Sequence, residues 1–124
     1  MKLFLLLSAI SIIILSADKC GKKSGIVKYK GRLEIAGICM NYTIKVLEGR
    51  IDTSRIASRW TDEVTGKSYM NVFALQNPCY FPSSIKQGDE FYFYIDTAVN
   101  KGCLTCLAYY PKPSKKLSIT VIEK

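Results

Sequence analysis

The sequence predicts an all-β domain: a small closed Greek-key barrel of five or six strands, OB-fold-like and stapled by disulfides. Three observations carry this expectation. From Ile26 to Lys124 apolar and polar residues alternate with a period of two, the pattern of half-buried strands. Turn-forming residues separate these runs at short intervals, and all five cysteines fall in the part of the chain that follows an apolar leader.

The leader comes first. Residues 1–17, MKLFLLLSAISIIILSA, place Lys2 ahead of an apolar run from Leu3 to Ala17, with small Ser16 and Ala17 at the end. This is the charged-then-apolar pattern of a secretory signal peptide. A run of roughly 15 residues is shorter than the ~20 that a membrane-spanning helix needs. The expected product is an exported, extracellular domain over 18–124, with no membrane span. Its 107 residues suffice for one core and are few enough to gain from cross-links.

The strands follow in order. In IVKYKGRLEIAG, Val27, Tyr29, Leu33 and Ile35 share one side, and Gly31 in the middle suggests a bulge or sharp bend. In MNYTIKVLEG, Met40, Tyr42, Ile44 and Val46 alternate with Asn41, Thr43 and Lys45. SYMNVFAL, EFYFYID, CLTCLAYY and KLSITVIE read as further strands. Within EFYFYID, Phe91, Phe93 and Ile95 are expected in the core and Tyr92 and Tyr94 on the outside of the sheet. A base-stacking role for these aromatics is not expected of an exported protein. Gly49, Gly66, Asn77–Pro78, Gln87–Asp89, Asn100–Gly102 and Pro111–Pro113 break regular structure. TSRIASRW alone hints at a helix, with Ser54 as cap and Ile56 and Trp60 four apart. A bent first strand favours a barrel, because small barrels need coiled strands to close. The second choice is an immunoglobulin-like sandwich, which expects a tryptophan between two paired strand cysteines. Trp60 does fall between Cys39 and Cys79, but in a loop-like setting.

Charge and composition bound the function. The chain has 18 Lys and Arg against 10 Asp and Glu, and loss of Lys2 with the leader leaves +7. Basic residues gather at Lys19–Lys23, Lys28–Arg32 and Lys112–Lys116. Such a surface is either simply solvated or drawn to polyanions met outside cells, such as sulfated glycans or acidic matrix. Lys22, Lys23, Lys28, Lys30 and Arg32 are the candidates for heparin-like polyanions; nucleic acid is not an expected partner. The chain contains no histidine, which removes the usual neutral-pH general base and the commonest metal ligand. Histidine-dependent nucleophilic arrangements are thereby excluded. No enzyme activity, metal or cofactor is expected. Asn41-Tyr42-Thr43 is a sequon for N-glycosylation, with Asn41 expected on the accessible face. In oxidising surroundings five cysteines imply two disulfides and one cysteine left over, free or joining two chains into a dimer. CLTC has redox spacing, yet redox pairs usually open a helix in a reducing compartment.

The order of features from Tyr42 to Ser118 resembles the netrin-like module. That is the barrel of the N-terminal domain of tissue inhibitors of metalloproteinases, the agrin N-terminal domain and the netrin C-terminal domain. The likeness runs through KVLEG, a variable loop, YMNVFAL, NPCYF, GDEFYFYID, GCLTC and YYPKPSKKLS. It covers about four fifths of the exported part and rests on order and spacing, not on one signature. The resemblance implies a Cys20–Cys79 disulfide, with Cys39 bonded to Cys103 or Cys106. It also implies a metalloproteinase-binding edge formed by Cys20, Gly21, Cys79 and Tyr80. In that family's inhibitors the mature chain begins with a cysteine whose amine and carbonyl oxygen chelate the protease's zinc. Here Asp18 and Lys19 precede Cys20, and CGKK stands where those inhibitors have two cysteines one residue apart. The resemblance therefore implies a secreted relative of metalloproteinase inhibitors that binds an extracellular metalloproteinase, whether or not it inhibits it, with a non-inhibitory matrix or polyanion (heparin-like) binding module as the alternative.

Overall fold

Strand β1 (Tyr29–Gly37) carries the bend expected of it. Its pairing register with β2 (Asn41–Glu48) slips between Lys30 and Gly31 and again between Leu33 and Ile35. The computed structural model describes residues 26–97, 103, 106 and 108–123, so the leader and the 18–25 arm lie outside it. The remaining strands are β3 (Ala57–Thr61), β4 (Ser68–Leu75), β5 (Glu90–Ile95), β6 (Lys116–Leu117) and β7 (Ile119–Glu123). Single 3-10 turns occupy Ile38–Met40 and Pro78–Tyr80. Among the described residues there is no α-helix, and no helix long and apolar enough to cross a membrane.

The protein is β-dominated, with one mostly antiparallel sheet of seven strands in the order β3-β4-β2-β1-β5-β7. Off that path, β6 pairs in parallel with β4 through Ala74 with Lys116 and Leu75 with Leu117. Only Ser118 separates β6 from β7. The C-terminal segment thus pairs with β4 at its start and with β5, antiparallel, along the rest.

Period-two alternation supplies the core. Leu33, Ile44, Phe73, Phe91 and Phe93 are essentially inaccessible, and Leu117 and Ile119 join them from the C-terminal segment. Each fully buried side chain of this size stabilises the fold by about 1.5–3 kcal/mol relative to exposure. Phe93 is the hub. Its ring lies 5.6 Å from Tyr29, 5.9 Å from Phe91 and 6.0 Å from Phe73. Gly31 makes the room: a Cβ there would stand 2.9 Å from the Phe93 ring and 3.2 Å from Ile44 Cγ2. Tyr92 and Tyr94 remain half-buried on the opposite side of β5.

Three expectations are corrected. The helix hinted at in TSRIASRW is not formed: Ala57–Thr61 is β3, paired with β4. Ile56 enters the core just before the strand. Trp60 stacks on its cross-strand neighbour Tyr69, centroids 5.6 Å apart, so the four-residue spacing had a strand cause. CLTCLAYY contributes no strand among its described residues, and its two cysteines are bonded to Cys79 and Cys39. KLSITVIE is divided at Ser118, where the segment leaves β4 for β5.

One polar side chain holds that crossing. Asn77 is 4% exposed. Its Nδ2 donates to Ile119 O at 2.8 Å and its Oδ1 accepts from Ile119 N at 3.0 Å. Asn77→Ala would strip both partners from a buried peptide group, with an expected loss of about 2–4 kcal/mol. Gly31→Ala, which overpacks against Phe93, should cost about 1–3 kcal/mol. Urea unfolding reads both as lower midpoints, and an unchanged midpoint for either contradicts this packing.

Candidate functional site

The basic stretch chosen from the sequence lies on the outer face of β1. Leu33 and Ile35 point inward, so Lys28, Lys30 and Arg32 take the other side, facing the outer residues of β5. Lys28 Nζ stands 4.3 Å above the Tyr92 ring and Lys30 Nζ 5.7 Å from it. These are cation–π distances. Lys30 also pairs with Glu90 at 3.7 Å, and Arg32 Nε donates to Glu34 Oε2 at 2.8 Å. Exposed pairs of this kind add little stability. Their effect here is to offset two of the three positive charges locally. Lys22 and Lys23 lie outside the described residues.

The turn between β1 and β2 and the turn after β4 are each tied down by a disulfide. Cys39 is bonded to Cys106, with Cα atoms 5.5 Å apart and a sequence separation of 67. Cys79 is bonded to Cys103, with Cα atoms 5.7 Å apart and a sequence separation of 24. The first pairing is one of the two that the resemblance implied for Cys39. The second replaces the implied Cys20–Cys79 bond. Cys103, at bridging distance, occupies the sulfur that the N-terminal arm would need. Cys20 and Gly21 lie outside the described residues, while Tyr80 stands 64% exposed beside Cys79. The structure therefore does not join Cys79 and Tyr80 to the arm through a disulfide. CLTC is no redox pair either, since its two cysteines serve different partners.

A strap follows over 108–115, of which the sequence predicts Ala108–Tyr110 as the end of a strand and Pro111–Pro113 as a turn. Tyr110 packs where a Cβ on Gly37 would come within 2.5 Å of its ring, and Pro113 is fully buried. Ala74 N donates to Lys115 O at 2.8 Å. The strap thus lies against β1, β2 and β4. Thr43, expected on the wet face, is fully buried with its hydroxyl unpartnered, opposite Ala74 of β4. Tyr109 Oη donates to Glu63. Lys112 Nζ donates to Asn41 Oδ1 at 3.0 Å, while Asn41 Nδ2 donates to Ile38 O at 2.8 Å. The sequon asparagine is therefore half-buried and engaged at both ends of its amide, not presented openly. Loss of water around its ammonium, and then the charge of Lys116, draws Lys112 below the usual lysine pKa.

Comparison with protein-family models, curated proteins and solved structures finds no match. The site is therefore read from its own chemistry.

That chemistry is one of surface contact. It offers cations on rigid strands, exposed Ile38 and Tyr80 near the disulfides, and a basic cluster at Lys112–Lys116 that the sequence showed without indicating its surroundings. Peptide mapping of the non-reduced protein should recover Cys39–Cys106 and Cys79–Cys103, leaving Cys20 as the odd cysteine. A Cys20-containing bridge to Cys79 would contradict the assignment. A disulfide-linked dimer, if formed, should vanish in Cys20→Ser.

Proposed function

We propose that the protein is an exported, non-enzymatic binding module on a small netrin-like barrel, and that it holds acidic polymers of the extracellular space. The barrel reading is supported by the C-terminal segment, which pairs with β4 through β6 and with β5 through β7. A strand shared between both sides is what closing a short Greek-key sheet requires. The netrin-like reading adds the order of strands and cysteines given above. Export is supported by the leader's pattern and by the two disulfides, which persist in oxidising compartments.

The observation that carries the binding reading is the placement of charge. The described lysines and arginines stand on outer faces, turns and the strap, and the buried hydrophobic core contains none of them. Fixed cations on a folded sheet raise the local concentration of polyanions and speed their encounter. The inhibitory alternative needs a leading cysteine clamped beside Tyr80. The Cys79–Cys103 bond removes that clamp's partner, so inhibition by amine chelation is not the function proposed.

The protein should bind immobilised heparin at low salt and elute with rising NaCl, since exposed charges are screened over about 8 Å at 0.15 M. Flow-through at low salt would overturn the reading. Titration against a metalloproteinase catalytic domain should leave its activity unchanged. Stoichiometric inhibition by a chain beginning at Cys20 would restore the alternative.

A further inference from the structure

The β1 cations are partly answered by Glu34 and Glu90; in a second group only Arg55 feels a carboxylate of its own turn, Asp52. Arg55, Lys115 and Lys116 are exposed, and among the described residues none forms an ion pair with a carboxylate. All three line one open cleft of about 650 Å³, together with Ser114 and with Ser54, whose side chain hydrogen-bonds Asp52. That volume falls within the ~300–1,000 Å³ of ligand clefts. Asp96 is the carboxylate in its wall, and it accepts from Thr120 Oγ1 at 3.3 Å.

The cations are held by rigid backbone from distant parts of the chain. Arg55 N donates to Asp52 O at 2.9 Å, and Ser54 N to Asp52 Oδ1 at 2.7 Å, which fixes the turn. Lys115 and Lys116 ride on the parallel ladder, where Ala74 N donates to Lys115 O and Gln76 N to Leu117 O at 2.9 Å. Leu117 is buried, so alternation directs Lys116 outward. Gln76 and Lys116 also line an adjoining cleft of about 210 Å³ that reaches Lys112. The positive strip therefore continues along the C-terminal segment. A backbone fixed in advance lowers the ordering cost of binding. An arginine fork flanked by ammonium groups and a hydroxyl suits a tetrahedral oxyanion.

We propose that this cleft seats a sulfate ester of an acidic extracellular glycan, with Arg55, Lys115 and Lys116 as its charge partners. The inference rests on the polyanion reading and relocates its principal site from β1 to the C-terminal segment. Ser114, next to Lys115 in the chain, supplies a neutral donor beside the lysines. Lys112 extends the strip toward the next acidic group of the polymer.

The test measures binding of a size-defined heparin oligosaccharide to the full exported chain at fixed ionic strength. Arg55→Ser/Lys115→Ser/Lys116→Ser should weaken binding at least about tenfold, or ~1.4 kcal/mol. Lys28→Ser/Lys30→Ser/Arg32→Ser should weaken it less than about threefold, as expected of exposed, partly paired charges. The charge-keeping variant Arg55→Lys/Lys115→Arg/Lys116→Arg should retain most binding, which separates charge loss from misfolding. A hyaluronan oligosaccharide, carrying carboxylates without sulfate, should bind more weakly than heparin, and inorganic sulfate should compete. If the β1 variant loses binding and the cleft variant does not, this site fails while the polyanion reading stands. If the wild-type chain binds no heparin at low salt, both fall. Equal affinity for hyaluronan, or tighter binding of a single-stranded DNA, overturns the sulfate assignment.

Discussion

The structure depends on one short stretch of chain being shared between two strands that are far apart in the sheet order. Lys116 and Leu117 lie alongside β4, and from Ile119 the same segment continues along β5. The transfer takes place at Ser118. Asn77, at the end of β4, grips both polar groups of the Ile119 peptide. A buried amide satisfied in this way is directional, unlike apolar packing, and so it fixes register as well as energy. Without it, the first residues of β7 would face the core with unpaired backbone. The apolar interior does not carry that information. Ile119 and Leu117 could each be buried in more than one register, but only one register presents the Ile119 peptide to Asn77.

The interior sets how closely the strands approach. Phe93 fills the space beneath the bend of β1 because Gly31 has no side chain to oppose it. Rings then run outward from it through Phe91 to Phe81 and Tyr42, with neighbouring centroids 5.3–5.9 Å apart. The strap runs beside the ends of β1, β2 and β4. It is held by Pro113, by Tyr110 against Gly37, and by the Cys39–Cys106 bond just ahead of it. The function proposed follows from this arrangement. Most apolar strand residues are used in the core, Ile38, Tyr80 and Tyr109 stay exposed beside the disulfides and strap, and charge is left on the outer faces and along the strap's exit into β6.

Several features were legible in the residues because they depend on local alternation. Phe91 and Phe93 inside with Tyr92 and Tyr94 outside, the bend at Gly31, and the limits of SYMNVFAL as a strand all follow from side chains two apart. What was not legible depends on contacts across the chain. Ile56 and Trp60 suggested a helix because their spacing satisfies either geometry, and the cross-strand partner that decides it, Tyr69, is nine residues further on. Asn77 read as a turn residue, since its pairing with Ile119 spans 42 residues. Cysteine spacing does not fix connectivity, so the Cys79–Cys103 bond emerged only from three-dimensional proximity. The candidate site divides in the same way. The β1 cations were visible as a run, whereas Arg55 had no apparent relation to Lys115 and Lys116 until β4 and β6 brought the two segments together.

The shared C-terminal segment therefore underlies the fold, the accessible charge and the cleft. Interstrand nuclear Overhauser effects on the isotope-labelled native protein test it most directly. The account predicts contacts between the backbone protons of Ala74–Leu75 and Lys116–Leu117 in parallel register, together with antiparallel contacts between Phe93 and Val121. Contacts from β7 to β5 without any from β6 to β4 would contradict it, because the segment would then belong to one strand alone and Arg55 would stand apart from the lysines.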